Sequence, residues 1–206
     1  MNSNNFTPSK EIASKYIDIN QPYFIIRFAK LTAHHDERIT GITKKIASKL
    51  INHLLDYGNV YITSERELEK SLEKYRLSVE PKDMHHVMNY AALYIGDSQT
   101  MAAESGILGV PFIRINDFVG RINYLKELEE KYELGYGFKP DESLKAIQKV
   151  EELLQEKDLK HIFLKRKKIM LADKIDVAKF ITWLILNYPK STSLIKSNPE
   201  LFNNFK

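Results

Sequence analysis

Asp97, Ser98, Gln99, Thr100 and Glu104 fall within a stretch, Leu93 to Ile115, that reads as a buried strand, a polar turn, a short helix of small residues and a second buried strand. A strand that runs into a helix start points free backbone N–H groups, and the positive end of the helix dipole, at whatever sits above the turn. The chemistry this predicts is anion binding. Ser98 suits the helix cap, and Thr100 adds a hydroxyl beside Gln99 at the same opening. Glu104, four residues after Thr100, lies on the same helical face one turn deeper, where a carboxylate accepts hydrogen bonds from a diol such as ribose. Asp97 either touches the ligand or braces the turn through backbone N–H groups. Phosphate above the turn and sugar hydroxyls beside it describe a nucleotide.

The elements that must hold this turn form an alternating α/β pattern, which predicts a Rossmann-like, doubly wound parallel sheet of about six strands with crossover helices. Strands are expected at Tyr23 to Phe28, Asn59 to Thr63, Tyr75 to Val79 (weak), Leu93 onward, Phe112 to Ile115 and near Leu134 to Phe138. Apolar residues at 42, 46, 47, 50, 51, 54 and 55 have the spacing of a helix with one buried face, ended by Gly58. Further helices are expected over Glu65 to Lys74, from Pro81 and Asp83 to Ala92, near Ile122 to Lys131 and from Asp141 to Gln155. The chain then divides into a linker with a short helix (1–20), the sheet domain (21–157) and C-terminal helices that pack back on it (158–206). In the last part Phe180, Trp183 and Ile185 are expected in the core, and Lys165-Arg166-Lys167-Lys168 on a solvated face.

Ligands of open parallel sheets bind beyond the carboxyl ends of the strands. The residues there are polar: Thr32-Ala33-His34-His35-Asp36 after the first strand, Ser64-Glu65 after the second, Asp97 to Thr100 after the fourth and Asn116-Asp117 after the fifth. In the usual doubly wound order the first and fourth strands are neighbours, so His34, His35 and Asp36 would face one crevice with the Ser98 turn. One histidine, His34 or His35, is then a candidate acid/base with Asp36 as its orienting partner. His34, Asp36 and His85 or His86 have zinc-ligand types without a recognised zinc spacing, so no metal is expected. His85 and His86 themselves read as capping or rim residues of their helix.

Composition sets the outer bounds. The 206 residues, 43% hydrophobic, suffice for one core and an appendage. With no cysteine, disulfides, thiolate zinc sites and a cysteine nucleophile are excluded. The polar first ten residues do not read as a secretory signal, so none is expected, and the longest apolar segment, Val177 to Leu186, falls short of the ~20 residues a membrane span needs. A soluble cytoplasmic location is expected. A net charge of +4 permits an anionic ligand, and the basic run lacks the aromatic interleaving of nucleic-acid binders.

The ungapped spacing from Asp97-Ser98 through Glu104 to Gly109-x-Pro111 resembles the diphosphate and ribose segment of UDP-N-acetylglucosamine epimerases and related GT-B glycosyltransferases. Tyr23 to about Gln155 is similar to their C-terminal domain. A prokaryotic domain-of-unknown-function family of GT-B type resembles nearly the whole chain, through Arg27-Phe28, Ala33-His34-His35-Asp36, Ile95-Gly96-Asp97, Thr100-Met101-Ala102-Ala103-Glu104 and Asn187-Tyr188-Pro189. The resemblance implies one half of a GT-B fold. Ser98 and the following amides would hold the diphosphate of a nucleotide sugar, in the first instance a UDP-sugar, with no required cofactor or metal. Glu104 would hold the ribose, and the His34-His35-Asp36 loop would overhang the sugar or phosphates. The family has a Gly-Gly pair where this chain has Gln99-Thr100, which changes the phosphate geometry.

GT-B enzymes work in a cleft between two such domains, so the resemblance also implies an N-terminal domain or partner subunit, and little catalysis without it. Envelope polysaccharide synthesis is the implied setting, and a homodimer through the C-terminal helices is a further expectation. The alternative is a non-catalytic binding or assembly module with a vestigial cleft.

Overall fold

In a computed structural model residues 6–30 and 40–206 are described. Five strands, β1 (Tyr23–Phe28), β2 (Asn59–Ser64), β3 (Leu93–Gly96), β4 (Phe112–Ile115) and β5 (Gly135–Phe138), pair in parallel in the order β2-β1-β3-β4-β5. The short helix α1 (Lys10–Ser14) precedes them, capped by the Ser9 hydroxyl. Helix α2 (Lys44–Leu55) begins at the Thr43 cap and buries Ile46, Ala47, Leu50, Ile51 and Leu54, the stripe its spacing predicts. It carries the chain outward from β1 to β2. Helix α3 (Met84–Asn89) then reverses direction to β3, and α4 (Gln99–Leu108) and α5 (Asn123–Lys126) continue through β4 to β5. Right-handed crossovers put a reversal of direction on the opposite face of the sheet. Accordingly α3 and α4 lie together, with the Val87 carbonyl accepting from the Tyr23 hydroxyl and Gly106 against Phe112, while α6 (Ser143–Gln155) packs on α2. The two sets of crossovers part between β1 and β3.

Two expectations are corrected. Glu65 to Lys74 is not a helix, and Tyr75 to Val79 is not a sixth strand. Ser64 closes a tight turn on Arg66, donating to its carbonyl at 2.6 Å, and the next two side chains leave in different directions: Glu65 to Arg27, Arg66 to Asp97. With only Leu68 and Leu72 to bury, the segment ends in a single 3-10 turn at Glu73–Tyr75. Beyond it one bridge, Ile62 to Arg76, extends the sheet edge before Pro81 starts the next turn.

Across the sheet one row joins Thr63, Arg27, Gly96, Arg114 and Gly137. Side chains in such a row share a face, so two arginines project from an otherwise apolar surface. Arg114 is fully buried and is tolerated because Glu129 accepts from its Nε at 3.0 Å and its Nη2 at 2.8 Å, while Asn116 Oδ1 accepts from Nη1 at 3.2 Å. Gly137 makes room, since a Cβ there would stand 2.9 Å from the Glu129 carboxylate. Burial pushes the Glu129 carboxyl up from the ordinary range and Arg114 opposes it.

The C-terminal helices are α7 (Leu159–Asp173), α8 (Val177–Leu186) and α9 (Lys190–Ser197). α7 seats Phe163 and Met170 in the core, and Lys167 donates to the Leu108 carbonyl at the end of α4. Phe180, Trp183 and Ile185, all expected in the core, lie outside it: Phe180 and Trp183 are half-buried against Phe202 and Phe205, and Ile185 is 67% exposed. Its face of α8 has no neighbour among the described residues to bury it.

Removing one member of a buried ion pair strands the other charge. Glu129→Ala is therefore expected to lower unfolding free energy by ~3–5 kcal/mol, whereas Arg114→Leu combined with Glu129→Leu costs much less. Denaturant unfolding of both variants checks this, and equal losses would show that the pair is not the source.

Candidate functional site

The β3–α4 turn stands at the carboxyl end of the sheet, on the parting of the crossovers between β1 and β3. Ser98 is the α4 cap, its hydroxyl accepting from the Met101 amide at 3.4 Å. Helix starts leave their first N–H groups without intrahelical partners, so the Gln99 and Thr100 amides face the opening. Gln99 is half-buried and Thr100 exposed. Glu104 lies farther along α4, and its Oε2 meets His85 Nε2 of α3 at 3.1 Å. That contact was not expected, and it makes His85 part of the site.

Asp97 is completely buried and turned away from the opening. One carboxylate oxygen accepts from the Ala29 amide at 2.6 Å, and the other from the Ile42 amide at 3.1 Å and from Arg66 Nη2 at 2.9 Å. Of the two roles considered for Asp97, this geometry is that of the brace. Burial raises the Asp97 carboxyl above the ordinary range, and the Ala29 amide, Arg66 and the Ile42 amide pull it back. Ala29 follows β1 and Ile42 precedes α2, so one carboxylate gathers both ends of the β1–α2 connection. Asp117 repeats the device at the next strand end, with Thr40 donating to its Oδ2 at 2.6 Å and its own amide donating to the Thr40 carbonyl. Gly41 permits the approach, because a Cβ there would stand 2.4 Å from an Asp97 oxygen.

His34, His35 and Asp36 belong to this connection but lie outside the described residues. Their neighbours on either side, Ala29-Lys30 and Thr40 to Ile42, are the residues tied to Glu65, Asp97 and Asp117.

Sequence reasoning passed over a polar floor beneath the turn. Tyr94 lies along β3 with its hydroxyl over Gly96, where a Cβ would come within 2.3 Å of it. Among the described residues Arg27 Nε and Thr63 Oγ1 are buried without a hydrogen-bond partner and the Tyr94 hydroxyl has at most the Ser98 side chain, and all three occupy one face of adjacent strands. Burial drives the Tyr94 hydroxyl far up from its usual range, with Asp97 and Glu104 adding to the shift and Arg27 and Ser98 opposing it. An arginine inside an apolar strand is the signal that marked this floor. Among the described residues no three of His, Asp or Glu converge as a metal-holding group.

No family model and no curated protein matches the chain by sequence. Solved structures match by fold. The chain is similar to the calicheamicin glycosyltransferase CalG4 (TM-score 0.52, 14% identity, 92% of this chain and 46% of that one). It is likewise similar to the spinosyn forosaminyltransferase SpnP (0.51, 15%, 79% and 44%). A third likeness is to Os79 from O. sativa, solved with UDP and deoxynivalenol-3-glucoside (0.50, 13%, 81% and 40%). The fold is therefore one Rossmann-like half of the GT-B glycosyltransferase architecture. The chain spans less than half the length of each of these proteins.

If Asp97 gathers the connection, crowding it releases both stems. Gly41→Ala is expected to cost ~1–3 kcal/mol and to speed hydrogen exchange at the Ala29 and Ile42 amides together. Unchanged protection at both amides would show that the carboxylate does not hold them.

Proposed function

We propose that this chain is the nucleotide-sugar-binding half of a GT-B glycosyltransferase or epimerase-like protein, with a UDP-sugar as its ligand. The observation that carries the reading is the β3–α4 turn: a capped ten-residue helix aimed outward at the parting of the crossovers, with Glu104 one turn in. The amides of Gln99 and Thr100, the Thr100 hydroxyl and the helix dipole would receive a diphosphate. Glu104 would accept from the ribose hydroxyls. Asp97 takes the positioning role, since its buried carboxylate is already committed to Ala29, Ile42 and Arg66.

In a transfer reaction the same donors would stabilise the leaving diphosphate as the glycosidic bond breaks. His34 or His35, with Asp36, would supply an acid or base from the connection that Asp97 and Asp117 gather. A second domain or a partner subunit, carrying the acceptor, would complete the cleft. The GT-B fold and the UDP present in the Os79 structure support this choice of ligand. Envelope polysaccharide synthesis remains the setting we favour for such a protein.

Ligand binding stabilises the folded state by mass action. At 100 times its dissociation constant UDP or a UDP-sugar is expected to add ~2.7 kcal/mol, read as a rise in melting temperature. Glu104→Ala should remove most of that rise without lowering the melting temperature of the free protein. A wild-type chain whose melting temperature UDP, UDP-sugars, GDP and ADP at millimolar concentration all leave unmoved would refute the reading and favour a non-catalytic assembly module.

A further inference from the structure

We propose that His85 is the positioning residue of the Glu104 carboxylate, and that this pair makes the site at the β3–α4 turn selective for a ribonucleotide over its 2′-deoxy counterpart. The inference rests on the nucleotide reading of the same turn. It begins from a contact that stability does not explain. His85 and Glu104 belong to different helices, meet at 3.1 Å and are each a little over one quarter exposed. A pair so open to water contributes little to folding. Its effect is geometric.

Glu104 has three side-chain torsions, and an unrestrained carboxylate at a pocket rim distributes over several rotamers. Recognition of a cis-diol needs the opposite, two oxygens held in a fixed plane. Among the described residues the contact of His85 Nε2 is with Oε2, which leaves Oε1 turned to a ligand. The imidazole is itself held. Phe6 sits edge-on to His85 with centroids 5.9 Å apart and packs against His86 at 4.9 Å. His86 Nδ1 in turn accepts from the Ser9 amide at 2.9 Å, tying the first turn of α3 to the segment before β1. Tyr16 adds a further tie by donating to Asp83 at 2.7 Å. Glu104 is thus oriented by a residue that is anchored on its far side.

The other groups near the carboxylate are consistent with a polar ligand. The Tyr94 hydroxyl is fully buried, with the Ser98 side chain beside it, and feels the Glu104 charge. Tyr124, half exposed at the start of α5, feels it too. A partly exposed carboxylate in contact with one histidine, with two phenols near enough to feel its charge, is a place where hydroxyl groups can be received.

The test uses the full chain and measures equilibrium binding of UDP and 2′-deoxy-UDP to wild type, His85→Ala, His85→Gln and Glu104→Gln, with GDP, ADP and their 2′-deoxy forms run alongside. Wild type is expected to prefer the ribonucleotide by about tenfold, the worth of one hydrogen bond to a charged group. His85→Ala should weaken UDP by about five- to tenfold while leaving 2′-deoxy-UDP nearly unchanged, so that the preference collapses. His85→Gln, which keeps a donor on the carboxylate, should restore part of the preference, and Glu104→Gln should abolish it. An unchanged preference in His85→Ala, or an equal loss of both ligands, overturns the positioning role. Equal wild-type affinity for the two forms overturns the inference but leaves the proposed function standing. A wild type that binds no nucleotide refutes both.

Discussion

One buried carboxylate organises the carboxyl end of this sheet. Asp97 follows β3, the strand beside the parting of the crossovers, and it receives amides from the end of β1 and the approach to α2 together with the Arg66 guanidinium that follows β2. A buried charge without such donors would cost several kcal/mol. With them it closes three separate segments on one point. Arg66 also donates to the Ile42 carbonyl at 2.8 Å and stacks over Phe28, so the cation that balances Asp97 is fixed by β1 and by the stem of α2. The Ser98 cap, one residue on, inherits its position from this cluster.

Polar groups reach unusually far into the sheet. The row Thr63, Arg27, Gly96, Arg114 and Gly137 places two guanidinium groups on one face with a glycine between them, and the Tyr94 phenol fills that gap. Glutamates balance both arginines, Glu65 at the rim and Glu129 in the interior. The two pairs differ in depth. Glu65 is half exposed and also accepts from the Lys30 amide, so it closes the crevice edge, whereas Arg114 and Asn116 form a rigid interior link to the Asp97 carbonyl. Charge in the core thereby connects β4 to the turn that carries Ser98.

Most of the architecture is legible in local patterns. The α2 stripe, the Ser98 cap, the break at Gly58 and the adjacency of β1 and β3 all follow from periodicity, capping and the doubly wound rule. Glu65 to Tyr75 misleads because its charges look like a solvated helix, while in the fold Glu65 and Arg66 are claimed by Arg27 and Asp97, residues distant in sequence. Long-range pairing of this kind has no period to detect. The same holds for His85, whose partner on α4 is set by how α3 and α4 pack. Asp97, by contrast, stood out in a turn, but spacing alone cannot say whether a turn carboxylate faces a ligand or its own backbone. Burial separates the two, and only the fold supplies it.

The pair Gln99-Thr100 at the start of α4 has a physical consequence that a pair of glycines there would not. Glycines let phosphate approach the backbone directly, with the helix amides as the donors. Here Ser98 spends its hydroxyl on the Met101 amide, and Thr100 stands exposed at the opening with a hydroxyl beside its own amide. An anion seated at this turn must rest farther from the backbone, against side-chain hydroxyl and amide groups whose dipoles turn more freely than a fixed N–H. Binding would then draw less on the helix dipole, which falls off within the first turn, and more on groups deeper in the pocket. Glu104, in contact with His85, is such a group, so a nucleotide bound as proposed would draw more of its recognition from its sugar half than from its phosphate half.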